Sequence, residues 1–188
     1  MRALFLAALL FPLIASAETK EEEAARYLET MVQSVLDGND PMRNRMFIQL
    51  RYLGEPSIDP LLGALENGDW KVRQYAAFTL GFFDSPRVVD PLLNLFQKDP
   101  EIEVRATTAE ALGRLEATAA VDPLLQALNS DQAKIRQSAA YGLGLIGSDK
   151  AKGALENAKN NDPDELVRFF AGEALDWIER AIAMKNRS

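Results

Sequence analysis

The chain contains no cysteine and no histidine. Without cysteine, no disulfide can stabilise the fold, and no thiolate can act as a nucleophile or a zinc ligand. Without histidine, imidazole metal sites and His-based catalytic triads are excluded as well. Runs of alternating β-branched and polar residues are scarce, so we expect no β-sheet. Stability must therefore come from the packing of helices against one another.

Positive charge is also in short supply. Lys and Arg total 21 against 28 Asp and Glu, which gives a net charge of -7. An acidic surface repels phosphate backbones, so we predict no nucleic-acid partner. No apolar stretch approaches the roughly 18 residues of a membrane-spanning helix, so no membrane span is predicted. No motif predicts a metal or a cofactor.

The N-terminus has the order of a secretory signal peptide. Arg2 precedes an apolar run over residues 3–14, and Ala15-Ser16-Ala17 places small residues at the cleavage positions. We expect residues 1–17 to be removed on export and residues 18–188 to form a single domain. The predicted location is periplasmic or secreted.

Two short motifs recur about every 31 residues. The element Asp-Pro-Leu-Leu occupies residues 59–62, 90–93 and 122–125. Between these, a β-branched residue is followed by arginine at Val72-Arg73, Val104-Arg105, Ile135-Arg136 and Val167-Arg168. A fixed period of this size predicts stacked units, each of which buries an apolar face against its neighbours.

Each period contains the patterns of two helices. Around the first motif, Ile58, Leu61, Leu62 and Leu65 follow the i, i+3, i+4, i+7 spacing of one helical face. The second helix starts at the Val-Arg pair and carries its own apolar stripe. We therefore predict an all-α fold, a right-handed α-solenoid of about five two-helix repeats. Its terminal units depart from the pattern, as the ends of a finite solenoid must to remain soluble.

A third motif imitates a nucleotide-binding fingerprint. Residues 142–147 read Gly-Leu-Gly-Leu-Ile-Gly, which matches G-x-G-x-x-G. That fingerprint has a mechanism only between a strand and the start of a helix, whereas this one falls at the end of a predicted helix. We interpret Gly144 as a close helix contact and Gly147 as a helix C-terminus.

Taken together, these elements resemble the HEAT-repeat family, and in particular the short PBS-lyase HEAT-like repeats. The resemblance covers about residues 41–180 and rests on the Pro-containing first helix, the Asp-bearing turn, the Val-Arg pair and the Leu-Gly end of the second helix. It implies a HEAT-like solenoid whose second helices line the concave side. The family includes scaffolds, lyases and hydroxylases, so it does not define the activity.

The repeated arginines have two interpretations. They could recognise anions, or they could stabilise the stack, as the resemblance implies. We favour the structural role, in which Arg73, Arg105, Arg136 and Arg168 bond turn carbonyls or the aspartates Asp69, Asp99, Asp131 and Asp162.

One set of residues is not explained by the core. In the second helices, positions two, six and ten residues after the start of the Val-Arg pair point away from the apolar stripe. Apolar residues at such positions tend to mark binding surfaces. The predicted protein-binding residues are Phe78, Phe82, Glu110, Arg114, Tyr141, Phe169 and Trp177. Phe47 and Arg51 extend the set in the first unit. The alternative is that these rings pack against adjacent helices.

The function that these patterns favour is an exported, non-catalytic scaffold or adaptor that binds a protein or peptide on the concave face. One alternative is a structural subunit of an oligomer or complex, with the aromatic residues as its interface. A less favoured alternative is a lyase-like enzyme that uses Glu110 and Glu173. Those carboxylates would lie two units apart, roughly 20 Å, which is too far for an acid–base pair.

Overall fold

The structure is a computed structural model that describes residues 18–185. The predicted signal peptide, residues 1–17, lies outside the described residues. Within the described range the chain forms ten α-helices and no strand. The helices, paired as five units, are α1 (Lys20–Leu36) and α2 (Asp40–Leu53), α3 (Ile58–Ala64) and α4 (Trp70–Leu80), α5 (Val89–Lys98) and α6 (Ile102–Arg114), α7 (Val121–Ala127) and α8 (Ala133–Ile146), α9 (Lys152–Asn161) and α10 (Glu165–Lys185). The predicted all-α solenoid is confirmed.

Local sequence signals begin these helices. Thr19 and Glu22 form a capping box at α1, with the Thr19 Oγ1 accepting from the Glu22 amide at 3.1 Å. Asn39 accepts from the Met42 amide at the start of α2. Asp69 caps α4 by accepting from the Lys71 amide at 2.8 Å. A single 3-10 turn precedes each of α3, α5, α7 and α9.

The core lies between the layer of first helices and the layer of second helices. Matching places in the first helices of units two to five (α3, α5, α7 and α9) are occupied by Leu61, Leu92, Leu124 and Leu155, and all four are fully buried. On the second helices, Val72, Leu80, Leu112 and Leu143 are fully buried as well. The apolar stripes predicted from helical spacing therefore face the core, and burial of this apolar surface is the main force that holds the repeats together.

Glycines allow the second helices to pack closely. A methyl group on Gly81 would lie 2.8 Å from the Cα of Ala111, and one on Gly113 would lie 2.7 Å from the Cα of Gly142. Gly144 makes the same kind of contact with α10. Consecutive first helices meet much less closely. The closer spacing of the second helices favours curvature toward their outer surface, which we call the second-helix face.

The imitation nucleotide motif has the structural role that we predicted. Gly144 packs against α10, and Gly147 ends α8 in the left-handed conformation with φ of 69°. Glycine adopts this conformation without the steric cost that a Cβ brings. The motif therefore lies at a helix C-terminus, where a dinucleotide fingerprint has no mechanism.

Two of the repeated arginines join adjacent repeats. The Arg73 guanidinium donates to both carboxylate oxygens of Asp99 at 2.7 and 3.0 Å. Arg136 does the same to Asp162, with both distances at 2.8 Å. These side chains are largely buried, so the pairs are shielded from solvent. The hydrogen bonds from Arg136 lower the pKa of the Asp162 carboxyl below its ordinary value.

The repeated arginines also close the turn of their own repeat. Arg105 Nη1 donates to the carbonyl oxygens of Asp99 and Pro100 at 2.6 and 3.2 Å. Arg168 Nη1 donates in the same way to Asp162 and Pro163. The arginines thus bond turn carbonyls and the carboxylates of Asp99 and Asp162, as the structural interpretation predicted. The prediction was wrong for two aspartates: the Asp69 side chain caps α4 instead, and Asp131 accepts from Arg136 only through its backbone carbonyl. The interpretation as an anion site is not needed.

Candidate functional site

The structure places the predicted binding residues on the second-helix face, but it gathers the rings into two groups. Phe78 lies on α4 and Phe82 just after it, while Tyr141 lies on α8 and both Phe169 and Trp177 lie on α10. The N-terminal aromatic cluster comprises Phe47, Tyr75, Phe78 and Phe82. The C-terminal aromatic cluster comprises Tyr141, Phe169, Phe170 and Trp177. Glu110 and Arg114 lie between the two clusters on α6.

The rings of the N-terminal aromatic cluster support one another. Phe47 lies 5.5 Å from Phe78 and 5.3 Å from Phe82, and Phe78 lies 5.2 Å from Phe82, measured between ring centroids. Tilted and edge-to-face contacts at this range are favourable for aromatic pairs. Phe82 is 36% exposed, whereas Phe47 and Phe78 are half-buried. The cluster is therefore fixed in place but still presents a ring to solvent.

Guanidinium groups lie over these rings. The Cζ of Arg51 is 5.0 Å from the centroid of Phe82, and that of Arg114 is 5.1 Å from the same ring. Arg43 lies 4.3 Å from the centroid of Tyr75. Each contact is within the range of a cation–π interaction. The N-terminal aromatic cluster is thus an apolar surface with guanidinium groups over its rings.

A groove of about 610 Å³ opens beside Phe82. It is lined by the ends of α4 and α6 and by Leu145 of α8. Arg114 reaches into it and donates through Nη2 to Glu110 Oε2 at 3.2 Å. Its Nη1 is buried and has no acceptor within residues 18–185. The groove is large enough for one or two side chains of a partner.

The C-terminal aromatic cluster is built by the same kind of ring contact. Tyr141 lies 5.4 Å from Trp177 and 5.9 Å from Phe170, both edge-to-face. Phe169 packs on Phe170 at 5.4 Å and is 58% exposed. In the described part of the chain no Lys or Arg lies over these four rings. This cluster therefore lacks the guanidinium contacts that cover the first.

Carboxylates accompany the second cluster. A cavity of about 260 Å³ is lined by Tyr141 and Phe170 together with Glu110 and Lys134. Glu173 lies four residues from both Phe169 and Trp177 on α10, so the three share one side of the helix. The C-terminal aromatic cluster is thus an apolar surface with charged side chains of both signs around it.

The predicted residues fit both alternatives in part: some rings are exposed as on a binding surface, and others pack against adjacent helices. Phe82 and Phe169 are exposed, as a binding surface requires. Phe78, Tyr141 and Trp177 are half-buried because they pack on neighbouring rings. Whether these residues bind a partner stays a prediction.

Sequence analysis missed two rings of the clusters and one arginine that lies over them. Tyr75 and Phe170 come three residues after the start of the Val-Arg pair, one position beyond those we considered, and Arg43 lies in the irregular first unit. The i, i+3 spacing from Tyr75 to Phe78 and the i, i+7 spacing from Phe170 to Trp177 would have identified the two rings. The stacking of Arg43 on Tyr75 follows from how α2 meets α4, which has no signal in the sequence.

The chemistry available on this face is recognition by apolar surface and charge. Among residues 18–185 no group of three or more carboxylates could hold a metal ion. Glu110 is engaged by Arg114 and lies 3.4 Å from the Ser138 hydroxyl. The face therefore offers ring edges, charged side chains of both signs and two concavities.

Comparison with known proteins identifies the class. The family described as HEAT repeats matches two overlapping stretches, residues 28–113 and 89–176. Together they span most of the chain, so the protein belongs to the HEAT-repeat family. The comparison with curated proteins finds no similar sequence. In the described part of the chain, no helix combines the length and the apolar character that crossing a membrane requires.

Solved structures share the fold. A chain in the complex of CpcE and CpcF of phycocyanin lyase from Nostoc sp. PCC7120 superposes with a TM-score of 0.70 at 22% identity, covering 79% of this chain and 98% of that one. A designed armadillo repeat protein superposes with a TM-score of 0.52 at 15% identity, covering 84% and 92%. At these identities the likeness establishes the α-solenoid architecture alone.

Proposed function

We propose that this protein is an exported, non-catalytic scaffold or adaptor that binds a protein or peptide on its second-helix face. The observation that carries the proposal is the exposure of Phe82 and Phe169, at 36% and 58%, on ring clusters that are otherwise half-buried. Large exposed rings are costly to leave in water, and they are enriched where proteins bind one another.

The ring contacts supply a physical reason for tight binding. A side chain that is already held by its neighbours loses little conformational entropy when a partner covers it. Phe82 is held by Phe47 and Phe78, and Phe169 is held by Phe170. Pre-organised aromatic anchors of this kind contribute much of the binding energy at protein interfaces. The nearby grooves would accept the partner's own apolar side chains.

Export is the second part of the proposal, and it is supported by the N-terminal sequence. Arg2, the apolar run and Ala15-Ser16-Ala17 have the order that signal peptidase recognises. The absence of cysteine is compatible with an oxidising compartment, because no thiol can form a wrong disulfide there.

Site-specific photo-crosslinking in cells tests the binding role. A photoreactive phenylalanine analogue would replace Phe169, and a matched variant would carry it at Gln126, an exposed position of the first helix α7. We expect discrete protein adducts from position 169 and none from position 126. Equal adducts at both positions, or none at either, would contradict a binding function for the second-helix face.

A second candidate is a structural subunit of an oligomer or complex. It is favoured by exposed apolar residues on α2, where Ile48 is 61% and Tyr52 is 87% exposed. Sedimentation velocity over a range of concentrations would detect self-association. Replacing both residues by serine should then abolish it. A single monomeric species at all concentrations would exclude a homo-oligomer.

The similarity in fold to a chain of a phycocyanin lyase complex also admits a lyase-like enzyme. Its acids would be Glu110 and Glu173. Glu110 already accepts a hydrogen bond from Arg114 at 3.2 Å, so one of its carboxylate oxygens is engaged within the chain. Loss of a measured lyase activity in the Glu110→Gln and Glu173→Gln variants, with the fold intact, would favour the enzyme over the scaffold.

A further inference from the structure

We infer that Asn67 is a self-modifying residue: the folded turn between α3 and α4 converts its side-chain amide to a carboxylate. Asn67-Gly68 is the one Asn-Gly pair in the sequence. Glycine has no Cβ, so its backbone nitrogen can approach the preceding Asn side chain in a way that other residues hinder. The inference concerns the scaffold itself and does not depend on the proposed binding function.

The reaction needs only water as a co-reactant. The Gly68 nitrogen loses its proton and attacks Cγ of Asn67, which forms a cyclic imide and releases the side-chain nitrogen, with that proton, as ammonia. Water then opens the ring. Its attack at Cγ gives aspartate, and its attack at the main-chain carbonyl of residue 67 gives isoaspartate. Either product places a carboxylate, and so a negative charge, in the turn.

Two hydrogen bonds of the turn favour this attack. The Asp69 amide donates to Oδ1 of Asn67 at 2.9 Å, so a donor already faces the oxygen that becomes negative when Cγ is attacked. Arg73 Nη1 donates to the main-chain carbonyl oxygen of Asn67 at 2.9 Å. That carbonyl shares a peptide bond with the Gly68 nitrogen, so the guanidinium stabilises the anion that remains when this nitrogen loses its proton.

The reacting groups are accessible to water. Gly68 is exposed and Asn67 is half-buried. Within residues 18–185 no backbone carbonyl accepts from the Gly68 amide. Base can therefore remove the amide proton without breaking a main-chain hydrogen bond.

The corresponding turns of two other units already contain the product. Asn67, Asp99 and Asp162 each lie three residues before the second helix of their unit. Asp99 Oδ1 accepts from the Glu101 amide at 2.9 Å, and Asp162 Oδ1 accepts from the Asp164 amide at 2.9 Å. These are the same bond that Asn67 makes within its own turn. An aspartate at this place therefore fits the turn as it stands.

The two aspartates also show what the new carboxylate can bind. Each pairs with an arginine of the preceding unit, Asp99 with Arg73 and Asp162 with Arg136. Both arginines are the fourth residue of their helix, α4 or α8. The fourth residue of α2 is therefore the expected partner of a carboxylate in the turn before α4.

That fourth residue is Arg43. Its Nη1 pairs with the exposed Asp40, and its guanidinium lies over Tyr75 of α4. Its Nε is buried and has no acceptor within residues 18–185. A carboxylate at position 67 would supply this acceptor and add an ion pair between the first and second units, next to the N-terminal aromatic cluster.

Peptide mapping by mass spectrometry tests the modification. The folded mature chain is incubated at mildly alkaline pH in water labelled with heavy oxygen. We expect Asn67 to lose its amide and take up a labelled oxygen, while Asn129, an exposed asparagine followed by serine in the turn after α7, remains an amide. No conversion of Asn67, or equal conversion of both residues, would overturn the inference.

Two variants separate the roles of Gly68 and Arg73. Gly68→Ala should slow the conversion at least about tenfold, because a Cβ hinders the attack. That Cβ would meet no atom within 4 Å, so the variant should fold like the wild type. Arg73→Gln should slow it at least about threefold. Its control is Arg105→Gln, which removes the same carbonyl contacts from the turn of the third unit and should change nothing. Conversion at the wild-type rate in Gly68→Ala and Arg73→Gln would contradict a role for the turn.

The Asn67→Asp variant places the carboxylate directly and tests the pairing with Arg43. We expect it to raise the urea midpoint of the wild-type chain by about 0.5 M and to leave the midpoint of an Arg43→Gln chain unchanged. The control Asn129→Asp should show no dependence on Arg43. If Asn67→Asp changes the midpoint equally in both chains, the carboxylate does not bind Arg43 and the predicted ion pair is wrong.

Discussion

Replacing Gly113 by alanine tests the close packing of the second helices. A Cβ at this position would lie 2.7 Å from the Cα and 3.0 Å from the carbonyl oxygen of Gly142. Both atoms belong to the backbone of α8, so no side-chain rotation can relieve the contact. The helices would have to separate at the middle of the stack, and Leu112 and Leu143 beside them would lose packing.

The magnitude follows from two opposing effects. Overpacking costs about 1–3 kcal/mol, and a clash with backbone lies toward the upper end of that range. Glycine to alanine in a helix interior gains about 1 kcal/mol of helix propensity. We therefore expect Gly113→Ala to lower the free energy of unfolding by about 2 kcal/mol, and Gly113→Leu to lower it further.

The matched control is Gly172→Ala in the interior of α10. There a Cβ would approach no atom closer than 3.7 Å, at the flexible end of Lys159. Only the propensity gain remains, so this variant should be stabilised by about 0.5–1 kcal/mol. Urea denaturation followed by far-UV circular dichroism measures both. If Gly113→Ala unfolds at the same or a higher urea concentration than the wild type, the account of helix spacing is refuted.

Four further predictions concern the core, the aromatic clusters, the aspartates and the N-terminus. Leu124→Ala should cost about 2–5 kcal/mol of stability, because the side chain is fully buried, and a denaturation midpoint equal to wild type would contradict this. Phe82→Ala and Trp177→Ala should each weaken partner binding by about 2 kcal/mol or more, and each should cost less stability than Leu124→Ala. If these variants instead lose much stability while their folded fraction binds as tightly as the wild type, both rings belong to the core. Asp162→Asn should lower the free energy of unfolding by about 2 kcal/mol at neutral pH. Because the pKa of the Asp162 carboxyl is lowered in the folded state, the stability difference between wild type and variant should persist above the ordinary pKa of 3.8 and disappear as the pH falls through the pKa of the folded protein. A difference in urea midpoints that does not change with pH would contradict this. N-terminal sequencing of the native protein should begin at or near Glu18, and retention of Met1 in a cytoplasmic protein would exclude export.

The sequence by itself determined the architecture. The recurring Asp-Pro-Leu-Leu and Val-Arg motifs predicted two helices per unit and five units, and the structure has them. The reason is that each helix buries its apolar stripe against near neighbours in the chain, so the local period carries nearly all the information about the fold. The prediction that Gly144 and Gly147 serve packing and helix termination was correct for the same reason.

The tertiary structure alone decided how the aromatic residues are arranged. The period placed Phe78, Phe82, Tyr141, Phe169 and Trp177 on the same side of the second helices and left the third unit without an aromatic residue there, but it did not show which rings touch. The ring-to-ring contacts between units depend on how neighbouring helices meet.

The cation over Tyr75 was equally beyond the sequence pattern. Sequence analysis placed Arg51 on the second-helix face, but Arg43 was a basic residue of an irregular unit until the packing of α2 placed it over Tyr75. A side chain's periodicity fixes the direction in which it leaves its own helix, whereas the partner that it meets depends on the relative position of two helices. The helical period therefore predicted the face, and inter-helix geometry decided which rings and cations meet on it.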